Sequence, residues 1–129
     1  MKKLRIHLTL IVALSMLNIA AVGDDIFDDI CKSFQSAEVT SYSKYLGNNV
    51  ELTIDNREVI YSRSQAELIL KDFFAKNPPK TIALTHKSSS GGSRSFAIAT
   101  YTSSNGNTYR VTIVTNSQSL IQELKFEKS

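Results

Sequence analysis

Residues 61–79 read YSRSQAELILKDFFAKNPP. Ala66, Ile69, Leu70, Phe73 and Phe74 recur at three- and four-residue intervals, so a helix through this stretch carries a wide apolar face. Ser64 and Glu67 have the Ser-x-x-Glu spacing of a capping box, in which the serine oxygen accepts the Glu67 N–H and the glutamate reaches back to the Ser64 N–H. Asn77-Pro78-Pro79 stops the helix, because proline disfavours helical geometry in the residue before it. Asp72 extends the polar side and is spaced to pair with Lys76. A helix this apolar on one side needs a surface to cover.

The flanking segments supply one. Upstream, Val50, Leu52 and Ile54 alternate with Glu51, Thr53 and Asp55, and Val59 and Tyr61 resume on one face after Asp55-Asn56, which reads as a hairpin. Further upstream, Phe27, Ile30, Cys31 and Phe34 share one face of a first helix, Asp24 to Phe34. Asp24, Asp25, Asp28 and Asp29 crowd its start, where a helix favours negative charge, and they lack the glycine and distal glutamate of a calcium loop. A second short helix from Ala37 to Leu46 ends at Gly47-Asn48-Asn49.

Downstream come four strands. Ile82, Leu84 and His86 share one face of the first, and Gly91-Gly92 turns the chain. Phe96, Ile98 and Thr100 alternate with Ala97, Ala99 and Tyr101, the first set read as inward and the second as outward. Asn105-Gly106 signals a two-residue hairpin. Tyr109, Val111 and Ile113 follow, then a loop at Asn116–Ser119, then a last strand with Leu124 and Phe126 opposite Glu123, Lys125 and Glu127. The expected class is α+β, in the order α-α-β-β-α-β-β-β-β, with helices packed on a curved antiparallel sheet because short turns pair consecutive strands antiparallel.

The start of the chain is MKKLRIHLTLIVALSMLNIAAVGDD: a basic end, an apolar run to Val22, then Ala21 and Gly23 at the spacing of a signal-peptidase site. The run is short for a membrane span and is interrupted by Thr9, Ser15 and Asn18. Residues 1–23 are expected to be removed near Gly23-Asp24, leaving 24–129 as one secreted or periplasmic domain without a membrane anchor. Cys31 stands eight residues past Gly23, too far for lipidation, and as the single cysteine it allows no internal disulfide. The full chain has 15 Lys and Arg against 12 Asp and Glu. Losing Lys2, Lys3 and Arg5 balances them at 12 each, so no basic surface is left to support nucleic-acid binding.

The order of elements, with a long helix after a hairpin, resembles the nuclear transport factor 2-like (cystatin-like) fold, a cone made by a curved sheet wrapped around helices. Tyr61-Ser62, Gln65-Ala66-Glu67, Leu70-Lys71-Asp72-Phe73-Phe74, Asn77-Pro78-Pro79, His86 and Tyr109-Arg110-Val111 resemble a family of small secreted Bacteroidota proteins catalogued as domain of unknown function 4783. Two positions depart from that pattern: Ser88 stands two residues after the histidine, and Gln35-Ser36-Ala37 separates the first helices, where glycines are expected. The resemblance implies a fold and export, and no activity.

Little in the chain itself suggests chemistry. After cleavage His86 is the sole histidine, so the usual zinc sites are unavailable, and the serine-rich stretch 88–93 lacks the Lys-Ser/Thr ending of a phosphate loop. No cofactor or metal is expected. The reading is a non-enzymatic module that binds a small apolar ligand in the cone or an envelope protein on the sheet. Tyr61, His86, Tyr101 and Arg110 are the candidate ligand contacts. The alternative is a small cone-pocket isomerase or hydratase with His86 as general base, histidine being the side chain type suited to proton transfer near neutral pH. Protease inhibition of the cystatin kind lacks its Gln-x-Val-x-Gly motif. Thr81, Thr85, Thr112 and Ala97-Ala99-Tyr101 are read as a neutral outer face suited to a sheet-to-sheet homodimer.

Overall fold

The structure is a computed structural model that describes residues 25–90 and 94–129. The expected signal peptide at 1–23 and the turn expected at Gly91-Gly92 lie outside the described residues. The elements are α1 (Ile26–Ser36), α2 (Val39–Tyr42) with a 3-10 turn (Ser43–Tyr45), β1 (Leu46–Ile54), β2 (Arg57–Ser62), α3 (Arg63–Lys76), β3 (Pro79–Ser90), β4 (Arg94–Ser103), β5 (Thr108–Thr115) and β6 (Ile121–Lys128). This is the expected α+β order, with the helices on one face of a curved six-stranded sheet. The strands run β2-β1-β6-β5-β4-β3. Neighbours are antiparallel except β1 and β6, which run parallel. Tight turns dictate only the pairing of consecutive strands, and β1 and β6 are not joined by one.

Helix α1 starts where Asp25 accepts the Phe27 N–H at 3.2 Å. Phe27, Ile30, Cys31 and Phe34 are all buried, as their spacing requires. Burial raises the Cys31 thiol to about 11, aided by the Asp28 charge, so it is a packing residue rather than a ready thiolate. The helix ends at Ala37, whose φ of 59° lies in the left-handed region. This is the place where glycine was expected, and the reason is now visible: alanine pays a steric penalty there that glycine does not. Ala37→Gly should therefore raise stability by about 0.5–1 kcal/mol, read from a urea melt. A loss of stability would show that the Ala37 methyl, which packs on the core, matters more than the strain.

The second helix is shorter than expected because Leu46 already begins β1. Gly47 is therefore not a helix stop. A methyl there would sit 2.9 Å from the Ile121 carbonyl oxygen, so glycine is what lets β1 and β6 approach at the irregular start of their pairing. Arg63 braces this region by donating from Nε to the Leu46 carbonyl at 3.0 Å and from Nη2 to Asn48 Oδ1 at 3.2 Å.

Helix α3 begins two residues earlier than its Ser-x-x-Glu pattern indicates. The cap is Ser62, whose Oγ accepts from Gln65 N at 3.4 Å while Gln65 Oε1 accepts the Ser62 N–H at 3.2 Å. Two overlapping patterns, Ser62-x-x-Gln65 and Ser64-x-x-Glu67, were available, and the end of β2 selects the first. Glu67 is engaged instead by the Ser43 hydroxyl. Ser62→Ala should cost ~1 kcal/mol and Ser64→Ala only a few tenths in a denaturant melt. The reverse ranking would refute the assignment. Ala66, Leu70, Phe73 and Phe74 are buried, Ile69 is half-buried and Leu68 points to solvent.

The two hairpin turns differ in width. Asp55 and Asn56, with φ of 53° and 62°, form the tight two-residue turn between β1 and β2. The Asn105-Gly106 connection is wider: Ser103 O accepts the Gly106 N–H at 3.1 Å, Ser103 N–H reaches Asn107 O at 2.8 Å, and Gly106 takes φ 95°.

The cone interior is aromatic. Phe34, Phe73, Phe74, Tyr101, Tyr109 and Phe126 meet edge-on or tilted, with centroids as close as 4.4 Å between Phe73 and Phe126. β4 presents Ala97 and Ala99 to the core, both fully buried. The inward and outward sets of β4 are thus opposite to the reading from size: Ala97, Ala99 and Tyr101 face the helices, whereas Phe96, Ile98 and Thr100 face outward. Phe34, Phe73, Phe74 and Phe126 occupy the interior together with Tyr101, and β4 adds only the methyl groups of Ala97 and Ala99 beyond those rings.

Candidate functional site

The wide end of the cone is not filled. A cleft of about 620 Å³ opens between the β1–β2 hairpin, α3 and the β4–β5 turn. Its apolar wall is Leu52, Ile54, Val59, Tyr61, Ile69 and Phe73. The alternation of β1 and β2 sends these strand residues to the helix side of the sheet, and Ile69 and Phe73 are one helical turn apart on α3. The volume is in the range that takes drug-sized ligands.

The floor is polar and built on Asn77. Its Oδ1 accepts from Tyr109 OH, Asn105 Nδ2 and Asn107 Nδ2, each at 3.1 Å. Its Nδ2 donates to Phe73 O at 3.3 Å, and its carbonyl accepts the Tyr101 hydroxyl. Asn105 Nδ2 also reaches Lys76 O at 2.9 Å. This network latches the β4–β5 turn onto the end of α3. Burial pushes the Tyr101 and Tyr109 phenols up, and for Tyr109 the nearby Asp55 charge adds to the effect, so both stay protonated donors.

Four charged side chains line the cleft: Asp55, Arg57, Asp72 and Lys76. The expected Asp72–Lys76 pair is present at 2.9 Å, exposed and of little energetic weight. Asp55 and Arg57 make no ion pair or side-chain hydrogen bond among the described residues.

The four residues singled out from sequence do not converge. Tyr61 stands in the cleft wall. Tyr101 is wholly buried behind it, its hydroxyl on Asn77. Arg110 is exposed on the outer face, paired in register with Thr100 and Glu127. His86 is also exposed and lies on the outer face, its ring 5.6 Å from that of Phe96. The cause is a bulge. Leu84 pairs with Ala99 and His86 with Ile98, so Thr85 is an extra residue and the side-chain alternation flips after it. Ile82 and Leu84 still pack on the core, and Lys87 takes the inward side, reaching Asp25 at 2.7 Å. His86 on β3 and Tyr61 on β2 belong to opposite edges of the sheet. Sequence reasoning missed Asn77, Asn105 and Asn107. Their asparagine-proline and asparagine-glycine settings signalled turns, which hid their use as a hub.

The outer face also carries crowded acids. Glu51 lies directly opposite Glu123 and diagonal to Glu58. A carboxyl–carboxyl hydrogen bond with Glu58, lost hydration and the neighbouring negative charges raise the Glu51 pKa. A carboxyl raised in the folded state weakens folding at pH values above that pKa, and the deficit vanishes below the ordinary value of about 4.3. Glu51→Gln should therefore stabilise by about 0.5 kcal/mol at pH 7 and not at pH 4. Equal effects at both pH values would exclude charge as the cause.

The model of a domain of unknown function (DUF4783) matches residues 27–127. The chain belongs to the DUF4783 family. A DUF4783 family protein from Bacteroides fragilis YCH46 is 28% identical, with a TM-score of 0.72 over 78% of this chain and 96% of that one. An NTF2-like protein of unknown function from Exiguobacterium sp. 255-15 is 10% identical, with a TM-score of 0.54 over 81% of this chain and 98% of that one. A putative ketosteroid isomerase from Kribbella flavida DSM 17836 is 7% identical, with a TM-score of 0.58 over 81% and 75% of the two chains. No curated protein matches the chain. DUF4783 membership and these likenesses bear out the NTF2-like cone.

Proposed function

We propose that this chain is an exported binding module that holds a small, mainly apolar ligand in the mouth of its cone without turning it over. The carrying observation is the cleft itself: an apolar wall on the hairpin and α3, above a floor whose amides and phenols are engaged with one another. Amides and phenols held protonated in this way shape the pocket floor and supply no general base from it. The isomerase or hydratase reading has its general base, His86, on the other face of the sheet. The likeness to a putative ketosteroid isomerase, at 7% identity, concerns fold alone.

Export is supported by the basic, apolar and small-residue order of 1–23. Mass spectrometry of the exported protein is expected to find Asp24 at its N-terminus, and an intact Met1 end would defeat that part of the proposal.

The test of the binding reading is titration with an apolar fluorescent probe such as anilinonaphthalene sulfonate. Binding should fall at least tenfold when Ile69→Trp fills the cleft. Unchanged binding in that variant, or turnover found in broad substrate profiling, would overturn it.

A further inference from the structure

We propose that the cleft recognises a zwitterion with an apolar body, a short peptide with both termini free. This rests on the cleft being the binding site, and it names the ligand class. Asp55 and Arg57 are the two charged lining groups without a partner among the described residues, and they are opposite in sign. They flank Asn56 in the tight β1–β2 turn, at the outer lip of the apolar wall. The other two charges of the lining neutralise each other.

Both side chains are exposed, so a purely apolar ligand would leave them to water and draw nothing from either. A simple carboxylate would satisfy Arg57, whose planar fork suits it, but would set a second negative charge beside Asp55. A simple cation has the converse fault with Arg57. A molecule bearing both an ammonium and a carboxylate answers both residues at once. The Asn107 amide keeps one N–H and its Oδ1 outside the Asn77 network, a donor and an acceptor suited to a peptide group. The apolar wall then takes the side chains, and the volume accommodates more than a single amino acid.

The experiment titrates the chain with Ile-Phe, N-acetyl-Ile-Phe and Ile-Phe amide, following calorimetry and the backbone resonances of Tyr61 and Ile69. Capping either end should weaken binding at least tenfold. Arg57→Gln should weaken Ile-Phe binding similarly and make amidation inconsequential. Asp55→Asn, which asparagine tolerates at that turn position, should do the same for acetylation. If capped and free peptides shift the cleft resonances with equal affinity, the zwitterion proposal fails and the cleft reading stands. If neither the peptides nor the apolar probe shift them, both fail.

Discussion

Phe73→Ala should remove about 3–5 kcal/mol from the free energy of unfolding. The ring is 4% exposed and touches the rings of Tyr109 at 5.1 Å and Phe126 at 4.4 Å, so its loss leaves a cavity bordered by stiff aromatics. Such a wall collapses poorly, which places the cost toward the upper end of the range. A domain of this size has about 5–15 kcal/mol in total. The midpoint temperature should fall by roughly 15–30 °C. Phe73→Leu, which keeps most of the volume, should cost clearly less. A loss below about 1 kcal/mol for the alanine variant would mean that the aromatic cluster is not the core of the fold. Phe73 also lines the cleft, so the same truncation should alter probe affinity.

The second large effect is expected at Asn77. Asn77→Ala should cost about 2–4 kcal/mol, because it strands several donors at once rather than removing one bond. Tyr109 OH, Asn105 Nδ2 and Asn107 Nδ2 all lose their shared acceptor. Tyr109→Phe removes one of those donors with its proton. The double variant should therefore lose less than the sum of the two single changes, by about 0.5–1.5 kcal/mol. Strict additivity would show that the three donors do not depend on Asn77. Hydrogen exchange in the β4–β5 turn gives an independent readout, since the latch to α3 should open.

Much of the architecture could be read from periodicity. The buried face of α1 and the face of α3 follow from three- and four-residue spacing, and β5 and the Leu124–Glu127 part of β6 alternate between buried and less buried residues. Reading failed where two patterns competed. In β4 both alternating sets are apolar, and the choice between Phe96 and Ala97 depends on how full the cone already is. In β3 a single extra residue at Thr85 reverses everything beyond it, and nothing local in Leu-Thr-His announces a bulge. The overlapping Ser62 and Ser64 caps are decided by where β2 ends. The cleft was the least legible feature. Its floor joins residues 77, 105, 107 and 109, whose meeting depends on the sheet order rather than on any short motif.

That order has a kinetic consequence. The last strand, Ile121–Lys128, lies between β1 and β5 in the middle of the sheet. Until those eight residues are present, the β1–β2 hairpin and the β3–β5 meander have no strand between them, and the aromatic interior has no lid on that side. Closing the sheet pairs Leu46–Ile54 with Ile121–Phe126, the widest sequence separation between neighbouring strands. Sheet closure is thus withheld until β6 is available, then completed in one long-range step of the kind that slows β-rich domains. A chain made from its N-terminal side remains open until β6 arrives.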